Sequence, residues 1–191
     1  MNKKVGIITY HAAHNYGSML QAYALQQTIL RMGFDCEIIN FRTKRQREMY
    51  TPRFMNERSI KKIIKYILTF GHIKESYQQY RLFEDFLSTR LALTNKEYTT
   101  LEELEQDNLL KFDYTLSGSD QIWNTFCRDF DWAYFLPFVK TGKRIAYAPS
   151  MGRQVSVEVG NLYDNQISSH LKHYDLSLIH ISEPTRRVVI S

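Results

Sequence analysis

The sequence predicts an α/β fold: a doubly wound, Rossmann-like parallel sheet with a helical insertion. Two observations support this prediction. Short apolar runs, typical of strands buried on both faces, alternate with stretches of helical periodicity. The first strand, helix and second strand together take about forty residues, the size of a βαβ unit with a right-handed crossover. With 191 residues, of which 43% are hydrophobic, the chain is long enough for one such domain and too short for two.

The first βαβ unit follows directly from the N-terminal residues. Residues 5–9 are apolar and β-branched and predict a buried strand, and a polar loop follows over residues 10–17. After Ser18, apolar residues recur at helical spacing until Gly33, which stands where a helix C-terminus favours glycine. Residues 36–41 then predict the second strand.

A helical insertion is predicted over residues 43–110. Residues 59–70 and 73–91 show apolar stripes at helical spacing, and Thr99 or Thr100 caps a third, short helix. The alternating pattern then resumes. The later elements are strands over residues 112–116 and 143–148 and a helix over residues 161–174.

Composition and motifs exclude several classes of protein. Cys36 and Cys127 lie far apart, with no CxxC pair and no histidine at metal-ligand spacing. The sequence contains neither the GxGxxG fingerprint of dinucleotide-binding proteins nor a P-loop. No apolar stretch reaches the roughly 20 residues of a membrane-spanning helix. We therefore expect a cytoplasmic protein with no metal and no other cofactor.

The C-terminal residues are unusual. Residues 176–186 can be back-translated into a transposon-based sequencing adapter, so we interpret residues 176–191 as a non-native tail and residues 1–175 as the domain. The alternative is a strand over residues 178–181. The tail is expected to add nothing to the core, although it is apolar enough to pair with an open sheet edge.

Three loops are predicted to meet at one edge of the sheet. Residues 14–18, 117–124 and 148–152 each follow a predicted strand, and the carboxyl ends of parallel strands lie at the same edge, where ligands bind. Their small residues allow backbone to approach a ligand, and their polar residues suit sugar hydroxyls or anions. Taken one at a time, each loop is better explained by tight turns and helix caps.

Four sequence blocks follow one another along the chain: VGIITYH from Val5, HNYGSMLQAYAL from His14, FDY from Phe112 with GSDQIWN from Gly118, and RIAYAPSMG from Arg144. In this order and spacing they resemble the polysaccharide pyruvyl transferase family. The resemblance covers residues 4–175 and is weakest in the insertion. The GSDQIWN block is its most specific part.

The resemblance implies a fold and a reaction. Enzymes of this kind are similar to GT-B-like two-domain glycosyltransferases, and they transfer a pyruvyl group from phosphoenolpyruvate to a sugar of a cell-surface polysaccharide, forming a ketal. The implied partners are phosphoenolpyruvate and a saccharide acceptor that can be lipid-linked. In the family, the Arg and His residues that bind phosphoenolpyruvate belong mainly to the C-terminal domain. The resemblance therefore implies that this chain is a truncated N-terminal half, inactive on its own.

The candidate site residues come from the three loops and from His11, which lies just before the first of them. Asp120 is the candidate catalytic residue, because a cleft carboxylate can orient or deprotonate an acceptor hydroxyl; its alternative role is a helix N-cap. His11 and His14 are candidates for binding the donor carboxylate or phosphate, or are ordinary loop histidines. Trp123 is either a platform for sugar stacking or a core residue. The candidate substrate-binding residues are His11, His14, Asn15, Tyr16, Gly17, Ser18, Gly118, Ser119, Gln121, Trp123, Asn124, Pro149, Ser150 and Gly152.

Two other functions remain open at this point. One is a glycosyltransferase or another sugar-binding Rossmann-like domain, because the same edge loops serve nucleotide sugars. The other is a non-catalytic adaptor for membrane or nucleic acid, based on a segment with nine basic and two acidic residues between Arg42 and Lys65. Nucleic-acid binding is not expected, because few aromatic residues interleave with the basic ones.

The basic segment also suggests a membrane contact. In residues 59–70 the isoleucines form one apolar stripe and the lysines lie off it, as in helices that bind anionic membrane surfaces. We therefore expect residues 42–70 to provide a peripheral contact at the inner face of the membrane. The alternative is that the stripe packs against the helix over residues 73–91.

Overall fold

The computed structural model describes residues 2–56, 59–61, 64, 73–118, 121–152 and 165–178. Within them, five parallel strands form one sheet in the order β2-β1-β3-β4-β5. The predicted α/β architecture with a parallel sheet is confirmed. The strands are β1 Lys4–Ile8, β2 Asp35–Ile38, β3 Tyr114–Gly118, β4 Lys143–Tyr147 and β5 Leu176–Leu178.

Helices of very different length connect the strands. Thr100 caps the short helix near the end of the insertion, and the helix predicted at residues 73–91 is present. The helix predicted over residues 59–70 lies largely outside the described residues, and of residues 161–174 the described part is helical over residues 165–171. The helices are α1 Tyr16–Arg31, α2 Lys44–Tyr50, α3 Arg53–Asn56, α4 Ile73–Arg90 and α5 Leu101–Gln106, with a 3-10 helix at Trp132–Phe135.

The sheet is covered on both faces, which explains the apolar character of its strands. Neighbouring residues of a strand point to opposite faces, so Ile7 and Ile8 of β1 belong to two separate hydrophobic clusters. On one face, α1 and α4 contribute Met19, Ala22, Phe83 and Leu87. On the other face the cluster contains Leu104 of α5, Trp123, Tyr134, Phe135 and Leu171.

Element boundaries differ from the predicted ones for local reasons. Helix α1 begins at Tyr16, before Ser18, because the Asn15 side chain caps it: Asn15 Oδ1 accepts hydrogen bonds from the backbone N–H groups of Gly17 at 2.9 Å and Ser18 at 3.2 Å. Strand β2 ends at Ile38, before the predicted end at residue 41.

An extended part of the insertion lies along β2, on the side away from β1. Ile38 N–H donates to the Ala92 carbonyl at 2.8 Å, and Thr94 N–H donates to the Ile38 carbonyl at 2.9 Å. A second isolated bridge joins Phe41 to Tyr98. The insertion is therefore not helical throughout, and its extended residues satisfy backbone groups that β2 would otherwise expose.

The order in which the strands are added to the sheet reverses next to β1. The chain passes from β1 outward to β2 and then returns to β3 on the other side of β1. At such a point the loops after the two central strands diverge, and a crevice opens outside their carboxyl ends. The loops concerned are those that follow β1 and β3.

The first residues of the predicted tail extend the sheet. Strand β5 pairs with β4, with Leu176 opposite Ile145 and Leu178 opposite Tyr147. Just before it, the Arg144 N–H donates to the Asp175 carboxylate at 2.8 Å, and the Asp175 N–H donates to the Arg144 carbonyl at 2.9 Å. The tail thus pairs with an open edge, as its apolar residues allow. That residues 176–191 are non-native stays a prediction.

We predict that chains ending at Leu178 and at Asp175 differ in stability. Removing residues 179–191 should leave the free energy of unfolding within about 0.5 kcal/mol of that of the full chain. Removing β5 as well should cost on the order of 1 kcal/mol, because the edge hydrogen bonds to β4 are lost. Urea denaturation followed by circular dichroism measures both values. Equal stability of the two shortened chains would show that β5 contributes nothing.

Candidate functional site

A pocket of about 490 Å³ lies at the crevice between the loops after β1 and β3. Its volume falls within the range of about 300–1,000 Å³ that is typical of small-molecule sites. The loop after β1, the start of α1, the end of α2 and the segment after β3 all contribute to it. The lining residues are Tyr10, Ala13, Asn15, Gly17, Ser18, Gln21, Tyr50, Gln121, Cys127 and Asp129.

Helix α2 fixes the carboxylate of the pocket. Gln46 and Tyr50 are four residues apart and therefore lie on the same face of the helix. Gln46 Nε2 donates to the Asp129 carbonyl at 3.2 Å and to the Tyr134 hydroxyl at 2.6 Å. The Tyr50 hydroxyl donates to Asp129 Oδ2 at 3.0 Å. One helix face thus holds both the backbone and the side chain of Asp129.

Two polar atoms of the pocket residues lack partners. Within the described part of the chain, the Tyr10 hydroxyl and Gln21 Oε1 are buried and make no hydrogen bond. Tyr10 is only 7% exposed, with its ring 4.7 Å from that of Tyr134. Burial raises the pKa of Tyr10 above its ordinary value, so the hydroxyl keeps its proton at neutral pH. Buried polar groups are normally paired, so these atoms favour a polar ligand.

The described residues that line the pocket are mostly polar and include one carboxylate, that of Asp129. No Lys, Arg or His is among the described residues that line it. The positive end of α1 also faces this region, and helix N-termini often bind anions. Here the Asn15 side chain already accepts hydrogen bonds from Gly17 and Ser18. The lining therefore suits a neutral ligand with many hydroxyl groups better than an anion.

His14 belongs to a charged cluster behind the loop and not to the lining. Its Nε2–H donates to Glu84 Oε1 at 2.7 Å, and the buried Arg42 guanidinium makes two hydrogen bonds to the same carboxylate, at 2.7 and 3.2 Å. The His14 ring stacks on Phe83 at 5.1 Å. Burial alone would raise the pKa of Glu84, but the hydrogen bonds from His14 and Arg42 outweigh it and lower this pKa to about 2. The cluster joins the loop after β1 to α4.

His11 is a core residue. It is fully buried, and its ring nitrogens lie 3.2 Å from the Thr9 carbonyl and 3.3 Å from Asn40 Oδ1. Burial lowers the pKa of His11, so its ring is neutral. A buried neutral imidazole with two internal contacts is not placed to bind an anionic donor.

The structure also places Trp123 in the core. Its ring stacks on Phe135 at 5.1 Å, and its Nε1–H donates to the Tyr134 carbonyl at 3.3 Å. Both faces of the sheet need large apolar side chains, and Trp123 supplies one of the largest buried side chains of the described residues. No face of the ring is left open for a sugar to stack on.

The third predicted loop, residues 148–152, contacts the second one at residues 123 and 124. The Ser150 carbonyl accepts a hydrogen bond from Trp123 N–H at 3.2 Å, and Pro149 and Gly152 are buried. Gly152 has a φ of 69°, and a Cβ atom there would lie 2.5 Å from Asn124 Nδ2. These contacts hold Asn124 at the end of the GSDQIWN block.

Four of the predicted site residues line the pocket, namely Asn15, Gly17, Ser18 and Gln121. Gly118 is buried at the end of β3, and Tyr16 is exposed on α1 with its ring against Phe83. Ser119 and Asp120 lie outside the described residues. Other lining residues were not predicted from the sequence, namely Tyr10, Gln21, Tyr50, Cys127 and Asp129. Gln21 could have been predicted from the sequence, because it lies one helical turn after Ser18 and so on the same face of the helix.

The fold and the pocket define an α/β protein with a pocket of small-molecule size at the point where the strand order of its parallel sheet reverses. No group of three or more potential metal ligands occurs among the described residues. The model of the polysaccharide pyruvyl transferase family matches residues 15–178, and the chain belongs to this family. It is thus a member of a transferase family. Neither the curated proteins nor the solved structures that were searched contain a match.

We predict that Glu84→Gln destabilises the chain in a pH-dependent way. The substitution leaves Arg42 buried without its anionic partner. The cost at neutral pH should be on the order of 2 kcal/mol, less than for a fully buried pair, because the Glu84 side chain is 33% exposed. A carboxylate whose pKa falls from 4.5 to about 2 on folding stabilises the fold above pH 4.5 and loses this effect as the pH falls towards 2.

The difference between wild type and Glu84→Gln should therefore shrink between pH 4.5 and pH 2 in denaturant titrations. Glu105→Gln, at an exposed position of α5, provides the matched control and should show no such effect. A difference that stays constant over this pH range would contradict the assigned role of the Glu84 charge.

Proposed function

We propose that the chain takes part in transferring a pyruvyl group from phosphoenolpyruvate to a sugar of a cell-surface polysaccharide, with formation of a ketal. We also propose that the pocket between the loops after β1 and β3 holds the acceptor sugar. The observation that carries the second proposal is the lining: neutral polar side chains and one carboxylate, with no cation among the described residues. Membership of the family supports the reaction class.

The two substrates need different binding groups. Phosphoenolpyruvate carries a carboxylate and a phosphate, which proteins bind with Arg, Lys or unoccupied helix N-termini. A sugar offers hydroxyl groups that both donate and accept hydrogen bonds. Asp129 and Gln21 Oε1 can accept from such hydroxyls, and the Tyr10 hydroxyl can donate to them. The pocket matches the sugar.

The donor needs a cationic surface, which we assign to a second domain of a GT-B-like enzyme. The two histidines considered for the donor are engaged elsewhere, His11 in the core and His14 with Glu84. In this arrangement the described pocket forms the acceptor side of a cleft. The acceptor hydroxyls would then face a donor held on the opposite side.

We predict that saccharides, and not phosphoenolpyruvate, protect Cys127 from alkylation. Cys127 lines the pocket and is partly exposed, whereas Cys36 is buried and its pKa is raised to about 12 by burial. Cys127 should therefore react first with iodoacetamide. Methyl glycosides of glucose, galactose and mannose are suitable probes, with the rate of alkylation read by mass spectrometry.

The chain with Cys127→Ser provides the control for labelling at Cys36. A slower reaction of Cys127 with at least one glycoside, and an unchanged rate with phosphoenolpyruvate, would support the acceptor pocket. Protection by phosphoenolpyruvate alone would assign the pocket to the donor. Absence of protection by every probe would overturn the proposal.

We further propose that the basic segment brings the chain to an anionic membrane that carries lipid-linked acceptors. Described residues of the stripe support this: Ile60 is 73% and Ile64 is 51% exposed, and Lys61 between them is exposed. Arg42 and Arg47 do not contribute, because they pair with Glu84 and Glu97. None of the helices in the described ranges is long and apolar enough to cross a membrane.

We predict that changing Lys44, Arg45 and Lys61 to Glu weakens cosedimentation with phosphatidylserine vesicles. Each basic residue near an anionic surface is worth about 1 kcal/mol, so the loss should be at least tenfold at low salt. The matched control changes Lys111, Lys143 and Lys172 to Glu, all exposed on other parts of the surface. Equal binding of the two triple variants across a salt series would exclude the segment as a specific contact.

A further inference from the structure

We infer that the carboxylate of Asp129 receives the acceptor hydroxyl and takes its proton during pyruvyl transfer. This inference rests on the proposed acceptor pocket and adds the residue that acts on the acceptor there. Asp129 lies in the segment after the GSDQIWN block, outside the three loops predicted to form the site. Three features of the structure carry it: the position of Asp129, its fixation, and the unpartnered groups beside it.

Asp129 is the only carboxylate among the described residues that line the pocket. It is 9% exposed, so its charge lies in a largely water-excluded place, where it interacts more strongly than in solvent. Tyr50 engages Oδ2 at 3.0 Å. A carboxylate offers about four lone-pair directions, so further directions remain for a ligand hydroxyl.

The carboxylate is fixed before any ligand arrives. Gln46 holds the Asp129 carbonyl at 3.2 Å, and Tyr50 holds the side chain. Gln46 is itself buried and bonded to Thr43 through a capping box at the start of α2. A group that must meet a hydroxyl in one geometry benefits from such fixation, because misplacement by about 1 Å can cost two orders of magnitude in rate.

Two other residues of the pocket complete a hydroxyl-binding surface. The Tyr10 hydroxyl, which belongs to a residue 7% exposed, and Gln21 Oε1 are buried without partners in the described part of the chain. A ketal bridges two hydroxyls of one sugar, so the site must receive a pair of them. Asp129 can accept a hydrogen bond from one of the two hydroxyls, and Gln21 Oε1 can accept one from the other. The Tyr10 hydroxyl can donate to an oxygen of the same sugar.

The chemistry of the step balances without further reagents. The hydroxyl oxygen forms a bond to carbon 2 of the enolpyruvyl group as its proton passes to Asp129. The methylene carbon gains a proton and becomes a methyl group, and the bond from carbon 2 to the phosphate oxygen breaks with its electron pair leaving on phosphate. The second hydroxyl then closes the ketal. The acceptor loses two protons in total. One is matched by the proton that the new methyl group gains, and the other is carried by the released phosphate. Asp129 therefore ends the reaction ionised.

Amino sugars test this inference without requiring turnover. An ammonium group in place of the hydroxyl that faces Asp129 would form an ion pair with the carboxylate. The probes are methyl glucoside, galactoside and mannoside, each compared with the analogue that carries an amine at carbon 3, 4 or 6. Protection of Cys127 from alkylation gives the concentration for half-maximal effect. In wild type, at least one amino sugar should protect at a concentration at least tenfold lower than its parent.

The tenfold gain should disappear in Asp129→Asn and persist in Asp35→Asn, which changes an exposed aspartate at the amino end of β2. A water-soluble carbodiimide should also couple the same amino sugar to wild-type Asp129, detected by peptide mapping, and this measurement needs no variant. Protection by parent glycosides with no gain for any amino sugar would overturn the role of Asp129 while leaving the acceptor pocket in place. A gain that survives in folded Asp129→Asn, or coupling only at other carboxylates, would also overturn it. Absence of protection by all sugars would overturn both.

Discussion

The side-chain amide of Gln46 joins helix α2 to the segment after β3, and its partners there lie 83 and 88 residues further along the chain. The oxygen of this amide accepts from the Thr43 N–H, and the backbone N–H of Gln46 donates to the hydroxyl of Thr43, the N-cap of helix α2. The nitrogen of the amide donates to the Asp129 carbonyl and to the Tyr134 hydroxyl. A buried amide is costly unless it is satisfied, and here both ends are bonded. The insertion, the segment after β3 and the core therefore share one network, and the pocket wall exists where they meet.

Local pattern was enough to predict strands β1 to β4, but not β5, which lies in the residues predicted to be a non-native tail. The apolar runs at β1 and β4, the glycine after α1 and the threonine cap of α5 are each read from a few adjacent residues, and the structure has elements at these places. Family blocks also led to Asn15, Gly17, Ser18 and Gln121. The start of α1 was misplaced because Asn15 and Ser18 are both good N-caps, and only the backbone conformation decides between them.

The rest of the pocket could not be predicted in this way. Tyr50 and Asp129 are 79 residues apart in sequence, and their contact depends on how the insertion returns to the sheet. Trp123 and His11 have types that suit a ligand site as well as a core, and only their burial decides their place. The basic segment was counted as one surface, although Arg42 is buried against Glu84. Composition gives the amount of charge but not which side chains turn inward.

The extended residues beside β2 have a consequence for how this sheet can grow. Ala92 and Thr94 occupy the backbone groups of Ile38 on the side away from β1, so no additional strand can join there without displacing them. The opposite margin ends in the short strand β5. The described sheet thus has one edge, at β2, that is covered by the insertion, and a second edge at β5. Within the described sheet, a partner strand would therefore join beside β5 and not beside β2, and this preference is set by a segment that does not line the pocket.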